Sequence, residues 1–249
     1  MKVRIYDSKA ELGRAAAEQA LRVIRSAIEK RGRAAIILAT GTSQFETLHA
    51  LTEGKGLDWS RVVMFHLDEY IGITPDHAAS FRRYLTERFV HRVGMLKEVN
   101  FIRGESENPE SECERVSSLI QGYTVDVALV GIGENGHLAF NDPPADFNTS
   151  EPFIVVNLDE TCRKQQLGEG WFETIEEVPS RAISMSISQI MKSNTIITSV
   201  PDARKAWAVK CALEGDVKAD CPSSILQNHP DCTLYLDKES SALLSGNYR

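Results

Sequence analysis

The sequence contains little of what would assign it to a specialised class of protein. With only 16 glycines and 9 prolines in 249 residues, it does not have the composition of a collagen-like or largely disordered chain. No stretch of about 18 apolar residues could form a membrane-spanning helix, and no apolar signal core follows Met1. The net charge of -7 disfavours nucleic-acid and anionic-membrane partners, which favour basic surfaces. We therefore expect a cytoplasmic protein without such partners.

The cysteines form no recognisable metal-binding or disulfide pattern. Their number is odd, and no two are separated by just two residues, as they are in many zinc sites. We expect reduced thiols that pack as small apolar side chains, and no bound metal. The five are Cys113, Cys162, Cys211, Cys221 and Cys232.

Short runs rich in valine and isoleucine alternate with longer amphipathic stretches, which is typical of strands and helices around a buried parallel sheet. The predicted strands are residues 3–7, 34–40, 62–67, 125–130, 194–200 and 232–236. A first helix is predicted to begin at a Ser8 to Glu11 capping box. The further predicted helices are 44–53, 79–92, 109–120, 203–213 and 238–244. Residues 143–151 and 168–170 are predicted loops.

No repeat or change of composition marks a domain boundary. Residues 1–249 are therefore expected to form a single α/β domain, with a doubly wound, mostly parallel, Rossmann-like sheet and helices on both faces. Ligands of such sheets bind outside the carboxyl ends of the strands. The residues that follow Thr40, Leu67 and Val130 are thus the places to look for chemistry.

The first two of these segments carry hydroxyls and acids. Thr40-Gly41-Thr42-Ser43 precedes a helix, so its hydroxyls and the free N–H groups there could bind an anion, although Thr and Ser are also ordinary helix caps. Asp68 and Glu69 follow the next strand. Neighbouring side chains point in different directions, so we expect Asp68 to enter a site and Glu69 to brace a loop or face solvent. A merely capping role for Asp68 is the alternative.

The third segment, Gly131 to Asp142, is rich in glycine and delivers a histidine. Three glycines in six residues permit a tight loop after the strand, and His137 follows them. A lone histidine is often structural. Here Asp142 is close enough in sequence to orient or charge the imidazole, which favours an acid–base role.

These segments resemble, in order along the chain, the motifs of the glucosamine-6-phosphate deaminase/isomerase family, which is related to the 6-phosphogluconolactonases. The loop at 40–43 lies where the family has its phosphate loop, and Leu67-Asp68-Glu69-Tyr70 matches its Asp-Glu-Tyr motif. Gly131 to Pro143 is similar to its Gly-His-x-Ala-Phe-Asn segment. Arg204-Lys205-Ala206 and Leu213-Glu214-Gly215 fit its downstream Lys-Ala and Glu-Gly positions.

The resemblance implies an enzyme that converts glucosamine 6-phosphate to fructose 6-phosphate and ammonia without a metal or redox cofactor, and it allows a homo-oligomer. His137 would open the sugar ring with help from Asn135 and Asp142. Asp68 would move a proton from carbon 2 to carbon 1. The residues implied in binding the substrate and its phosphate are Thr40, Gly41, Thr42, Ser43, Glu69, Gly136 and Lys205. Lys205 could instead be a solvated helix lysine.

The sequence departs from the family pattern at several positions. Asn135 replaces a common Asp, so it can orient His137 but cannot carry a charge that raises its basicity. Asp142 replaces a usual Glu and reaches less far. The phosphate-binding arginine of other members falls within 167–170, which contains none, and Arg163 is a possible substitute.

Two other functions are compatible with parts of this pattern. A 6-phosphogluconolactonase would share the fold and the Gly-His loop, but such enzymes usually have Asp-Glu-Arg where this chain has Asp68-Glu69-Tyr70. A non-catalytic sugar-phosphate-sensing module would share the architecture but needs no acid–base residues. Comparing ammonia release from glucosamine 6-phosphate with lactone hydrolysis would separate these hypotheses.

Overall fold

The computed structural model describes residues 1–248 as two sheets surrounded by helices. Its ten strands are β1 (Lys2–Tyr6), β2 (Ala34–Leu38), β3 (Val62–His66), β4 (Asp68–Tyr70), β5 (Glu98–Asn100), β6 (Val127–Val130), β7 (Phe153–Asn157), β8 (Arg181–Met185), β9 (Thr195–Val200) and β10 (Cys232–Asp237). The α-helices of these described residues are α1 (Lys9–Arg31), α2 (Phe45–Thr52), α3 (Phe81–Leu85), α4 (His91–Val93), α5 (Pro109–Gln121), α6 (Glu160–Gly168), α7 (Ile187–Met191) and α8 (Ala206–Glu214). Short 3₁₀ segments include Thr42–Gln44 and Ala203–Lys205, and a π-helical turn, Thr86–Val90, joins α3 to α4.

The larger sheet has the order β1-β10-β9-β6-β2-β3-β5, and all its neighbouring strands are parallel. From β2 the chain adds β3 and β5 on one side, then returns through β6 to build β9 and β10 on the other. The direction of winding thus reverses between β2 and β6. Ligands of doubly wound sheets bind at the carboxyl ends of the strands at such a reversal.

Helices cover both faces of this sheet because its central strands are apolar on both sides. In β2, Ile37 faces a core that includes α5, α7 and α8, whereas Ile36 and Leu38 face a second core that includes α1 and α2. Both cores are completely shielded from solvent at these positions. Such a double burial explains why β2 is a continuous apolar run rather than an alternating one.

The smaller sheet is antiparallel, in the order β4-β8-β7, and begins directly where β3 ends. The backbone N–H of Met185 donates to the carbonyl of Leu67 at 2.6 Å, which joins the two sheets at that point. A third apolar cluster lies beside the small sheet and is centred on rings that contact Tyr70. These rings are Phe81, Phe140 and Phe172.

The predicted fold class is confirmed, and so are the six predicted strands, to within about two residues at their ends. The predicted helix at 238–244 is wrong, because this segment forms turns. Ser241 Oγ donates to the carbonyl of Lys238 at 3.3 Å, a local side-chain bond that competes with a helix. In the capping box, Ser8 caps α1 as predicted, but Glu11 accepts from the N–H of Asp7 rather than Ser8.

Four strands and two helices were not predicted from the sequence, namely β4, β5, β7, β8, α6 and α7. No helix of the described residues is both long and apolar enough to cross a membrane. The formation of one domain by residues 1–249 stays a prediction.

Candidate active site

A cavity lies outside the carboxyl ends of β2, β3 and β6, at the reversal of the sheet. It brings together most of the residues predicted from the sequence. Those that line it are Thr40, Gly41, Ser43, Asp68, His137 and Lys205. The remaining predicted residues, Thr42, Glu69, Asn135, Gly136 and Asp142, do not line it. Thr42 instead lines an adjoining, larger cavity that shares Ser43 and Lys205 with the first.

The conformation of the loop after β2 is fixed by the backbone of Gly41 and by hydrogen bonds from the side chains of Tyr84 and Gln44. Gly41 has a φ of 91°, a conformation that side-chain-bearing residues rarely adopt. The hydroxyl of Tyr84 donates to the carbonyl of Gly41 at 2.8 Å. The amide of Gln44 donates to Ser43 Oγ at 3.1 Å and to the carbonyl of Ser199 in β9 at 3.2 Å. Gln44 thus ties the loop to the sheet.

Lys205 is the buried cation of the site. It follows β9 in the turn Ala203–Lys205 and is 6% exposed, and its ammonium has no ion pair or hydrogen bond within the described residues. Burial lowers the pKa of its ammonium, and the charge of Glu169 acts in the opposite direction. Arg204 is exposed instead and pairs with Asp202 and Glu134, at 3.0 and 3.4 Å. Of these two neighbouring cations, Lys205 therefore has the free donors for an anion. Its burial disfavours the alternative, that it is a solvated helix lysine.

Asp68 lies at the joint between the two sheets, in β4, where it pairs with Ser184 of β8. It is 7% exposed and faces the cavity. Burial, and then the neighbouring charge of Glu69, raise the pKa of Asp68 to about 8. A carboxyl group with such a pKa can both take and return a proton near neutral pH.

Glu69 is used inside the protein, which corrects the substrate-binding role predicted for it and agrees with the expectation that it braces a loop. Its buried carboxylate accepts hydrogen bonds from Ser80 Oγ and from the backbone N–H groups of Tyr70, Phe81 and Arg82. These donors include the free N–H groups at the start of α3. Burial raises the pKa of Glu69 to about 6, although the bonds from this segment favour its charged form.

The loop after β6 wraps closely around its histidine. A Cβ atom on Gly133 would lie 2.3 Å from the His137 ring, so only glycine fits there. The N–H of Gly133 donates to the carbonyl of His137 at 3.0 Å, and the carbonyl of Gly136 accepts from Ser223 at 2.8 Å. Gly136 therefore shapes the loop from behind, which corrects its predicted role as a ligand-binding residue.

His137, Asn135 and Asp142 form a connected group. Nδ1 of His137 lies 3.0 Å from Oδ1 of Asp142, and the same oxygen accepts from the Asn135 amide at 3.0 Å. Asn135 Oδ1 in turn accepts from the backbone N–H of His137 at 3.1 Å. Burial alone would raise the pKa of Asp142, but its contacts with His137 and Asn135 outweigh burial and hold that pKa below its ordinary value. The shorter Asp142 thus reaches the imidazole.

Side chains of α6 form the opposite wall, which sequence reasoning missed. Gln165 and Gln166 of α6, and Glu169 directly after its end, line the cavity from this side. Gln166 Oε1 accepts from the Tyr70 hydroxyl at 2.7 Å, and Gln165 Oε1 accepts from the N–H of Glu134 at 3.0 Å. The two glutamines fasten α6 to the segments that carry Asp68 and His137.

One sequence signal could have located α6. Asp159 accepts from the N–H of Cys162 at 2.6 Å, the helix cap that an Asp before Glu160-Thr161 can provide. Arg163 of this helix does not replace the absent phosphate-site arginine. Its guanidinium donates to the carbonyls of Ile175 and Val178, at 2.5 and 2.9 Å.

The arrangement suits proton transfer on a small anionic substrate. A protonatable carboxyl group and a carboxylate-backed imidazole face one cavity, and a lysine and hydroxyls lie at its edge. Within the described residues, one group could hold a metal ion by geometry. Its donor atoms, from His137, Asp142 and Cys162, lie within 4.8 Å of one another.

Comparison with known proteins agrees with this chemistry. The family model described as glucosamine-6-phosphate isomerases/6-phosphogluconolactonase matches residues 7–235. A glucosamine-6-phosphate deaminase of Oenococcus oeni is 34% identical over 245 residues, covering 98% of this chain and 99% of that protein. A solved monomeric glucosamine-6-phosphate deaminase superposes with a TM-score of 0.89 at 30% identity, covering 98% of this chain and all of that one. A 6-phosphogluconolactonase of Shewanella baltica (TM-score 0.79, 19% identity, 95% and 97% coverage) shares the fold.

Proposed function

Since the chain belongs to the glucosamine-6-phosphate isomerase/6-phosphogluconolactonase family, we propose that it is an enzyme that isomerises and deaminates glucosamine 6-phosphate to fructose 6-phosphate and ammonia. One observation carries the proposal. Asp68, with a pKa near 8, and His137, backed by Asp142, face the same cavity beside a buried lysine. An aldose-to-ketose conversion needs a base for carbon 2 and an acid–base group for the ring oxygen, and these residues can provide both.

His137 acts first and opens the ring. Its Nδ1 faces Asp142, which leaves Nε2 for the substrate. The imidazole takes the proton of the hydroxyl on carbon 1 and gives it to the ring oxygen, so the ring bond breaks and an aldehyde forms. Asp142 stabilises the imidazolium form, and Asn135 fixes both groups through its two hydrogen bonds.

Asp68 then takes the proton from carbon 2 and returns it to carbon 1, while one proton of the amino group passes to the oxygen on carbon 1. The result is an imine at carbon 2, which water hydrolyses to the ketone and ammonia. The charges that act on Asp68 include the like charge of Glu69 but no cation of the described residues. An ammonium group on carbon 2 of the substrate would supply the missing opposite charge and favour the ionised, basic form of Asp68. This favours an amino sugar over a lactone.

The phosphate is bound by the loop and the lysine. The cavity is lined by Thr40, Gly41, Ser43 and Lys205, which can offer hydroxyls, backbone N–H groups and an ammonium. These are the donor types that phosphate binding uses. Thr42 extends the same loop into the adjoining cavity.

Two assays on the purified protein test the proposal. Ammonia and fructose 6-phosphate released from glucosamine 6-phosphate would be measured beside the hydrolysis of 6-phosphogluconolactone. We expect the first reaction to dominate by at least about a hundredfold in kcat/KM. Faster lactone hydrolysis would reassign the enzyme to the other branch of the family, and no turnover of either substrate would overturn the proposed activity.

A further inference from the structure

A carboxylate lies in the part of the cavity where phosphate is proposed to bind. Glu169 lines both the site cavity and the adjoining one, together with Ser43 and Lys205. Its Oε2 would lie 3.4 Å from a Cβ atom placed on Gly41, so the carboxylate rests directly over the backbone of the loop. An acid over an anion-binding loop is unfavourable for the anion, because like charges at contact distance repel.

The surroundings of Glu169 give no structural reason for a negative charge. Its carboxylate accepts two long hydrogen bonds, from Gln165 Nε2 at 3.3 Å and Trp171 Nε1 at 3.4 Å. A neutral amide oxygen could accept both. Glu169 also follows the carboxyl end of α6, where its N–H caps the carbonyl of Gln165, and a helix dipole disfavours an anion at that end. Neither hydrogen bond therefore requires a charged side chain at this position.

The charge of Glu169 acts on the neighbouring cations Lys205 and Arg204. Lys205 is nine-tenths buried, lines the same two cavities and has no ion pair within the described residues. Among the charges that act on it, that of Glu169 is the first to favour its protonated form. Arg204 has its own partners in Asp202 and Glu134.

We propose that Glu169 is a specificity-determining residue whose negative charge opposes phosphate binding beside Lys205, so that a phosphate group alone binds weakly and the sugar must contribute to binding. The inference rests on the proposed function, since it takes the Thr40 to Ser43 loop and Lys205 as the phosphate site. A ligand held only by its phosphate must bind beside this carboxylate without compensation. The amino sugar phosphate gains further contacts at Asp68 and His137, which offset that cost. The site thereby discriminates against inorganic phosphate and small phosphate esters.

The test compares Glu169→Gln with the wild-type enzyme. The amide keeps the size of the side chain and an oxygen that can accept from Gln165 and Trp171, but removes the charge. Inorganic phosphate serves as the probe, measured as a competitive inhibitor and by titration calorimetry. We expect its dissociation constant, and the KM of glucosamine 6-phosphate, to fall about tenfold, with kcat changed less than about threefold. The KM of unphosphorylated glucosamine should not fall.

A matched control removes the same charge nearby. Glu176 is exposed in the segment that follows α6, and Glu176→Gln should leave phosphate binding unchanged. Unchanged or weaker phosphate binding in Glu169→Gln overturns the inference, as does an equal gain in both variants. Glu169→Ser, which also removes the charge, replaces the amide variant should that protein fail to fold. Phosphate calorimetry tests the role of Glu169 even if the protein turns over no substrate. A failure of the proposed function would instead appear in the ammonia assay of the wild-type protein.

Discussion

The two walls of the cavity are built in different ways. One consists of loops at strand ends, which place Asp68, His137 and Lys205 through backbone bonds and buried strands. The other is α6, which buries only Cys162 and Gln166 and is fastened by hydrogen bonds of Gln165 and Gln166.

This difference suggests that the strand-end wall carries the catalytic groups and that the α6 wall adjusts substrate affinity. Groups that react must be held within a fraction of an ångström, which the strand ends can do because their backbone is buried and paired. A helix fastened by a few side-chain bonds can shift, so its residues suit the tuning of binding. Changes on the strand-end wall should therefore reduce kcat or phosphate binding severely, and changes on the α6 wall should act mildly on KM.

The largest effect is expected from Asp68→Asn. The amide cannot take the proton from carbon 2, so kcat should fall by about a thousandfold or more, with substrate binding changed less than about tenfold. The variant should also melt higher than the wild type at pH 8, because it no longer buries a carboxylate. Steady-state kinetics and thermal unfolding measure both. Near-normal turnover would remove Asp68 from the catalytic role.

Lys205→Ala should affect binding rather than chemistry. The loss of a charge-assisted bond of about 1.5–3 kcal/mol corresponds to roughly a 10- to 100-fold rise in the KM of glucosamine 6-phosphate. Unphosphorylated glucosamine should lose little. Arg204→Ala is the matched control, because it removes the adjacent cation, which is exposed and paired. Equal losses for both sugars, or an equal effect of Arg204→Ala, would contradict the assignment of Lys205 to phosphate.

The pH dependence follows from the pKa of Asp68. That pKa is raised from 3.8 to about 8, and the base works only when it is deprotonated. Below pH 8, kcat/KM should therefore fall about tenfold per pH unit, since it reports the free enzyme. The folded protein also holds this proton where the unfolded chain has lost it, so the contribution of Asp68 to stability decreases as pH rises from about 4 to 8. A kcat/KM profile flat from pH 6 to 9 would contradict this account.

The smallest effect is expected on the α6 wall. Tyr70→Phe removes the hydroxyl that donates to Gln166 Oε1 and leaves that buried oxygen unpaired. We expect a KM higher by about three- to tenfold, kcat within about threefold, and a loss of about 1–3 kcal/mol in unfolding free energy.

Tyr123→Phe provides the control for this change. It also removes a tyrosine hydroxyl, bonded to Glu98, but at the opposite end of the sheet beside Arg31 and Asp126. It should leave KM unchanged. A fall in kcat as large as that of Asp68→Asn would show that α6 holds the reacting groups as strictly as the strand ends do.

The strand-end wall could be predicted from the sequence because short, contiguous stretches of residues encode it. β2, β3 and β6 are fully buried and hence continuous apolar runs, and the residues after them carry the polar groups that face the cavity. Their meeting at one edge follows from parallel strands alone.

The α6 wall was not predictable in the same way. The helix has too few buried apolar residues to show a helical stripe, since one thiol and one amide are its buried side chains. Its position depends on contacts between residues distant in sequence, such as Gln166 with Tyr70. Likewise, β7 and β8 pair across an intervening polar stretch that contains α6, and no short-range signal indicates that pairing. The placement of Glu69 and Gly136 behind the site also required the structure.

The pairing of β1 has a consequence for synthesis of the chain. Within the described residues, β1 pairs with β10 alone, with Lys2 opposite Thr233 and Tyr6 opposite Asp237. During synthesis β1 thus has no partner until β10 has also been made. At about 5–20 residues per second, this wait lasts on the order of ten seconds or more. During that time the backbone of β1 is open to proteases and chaperones, and translation sets the earliest moment at which the parallel sheet can be completed.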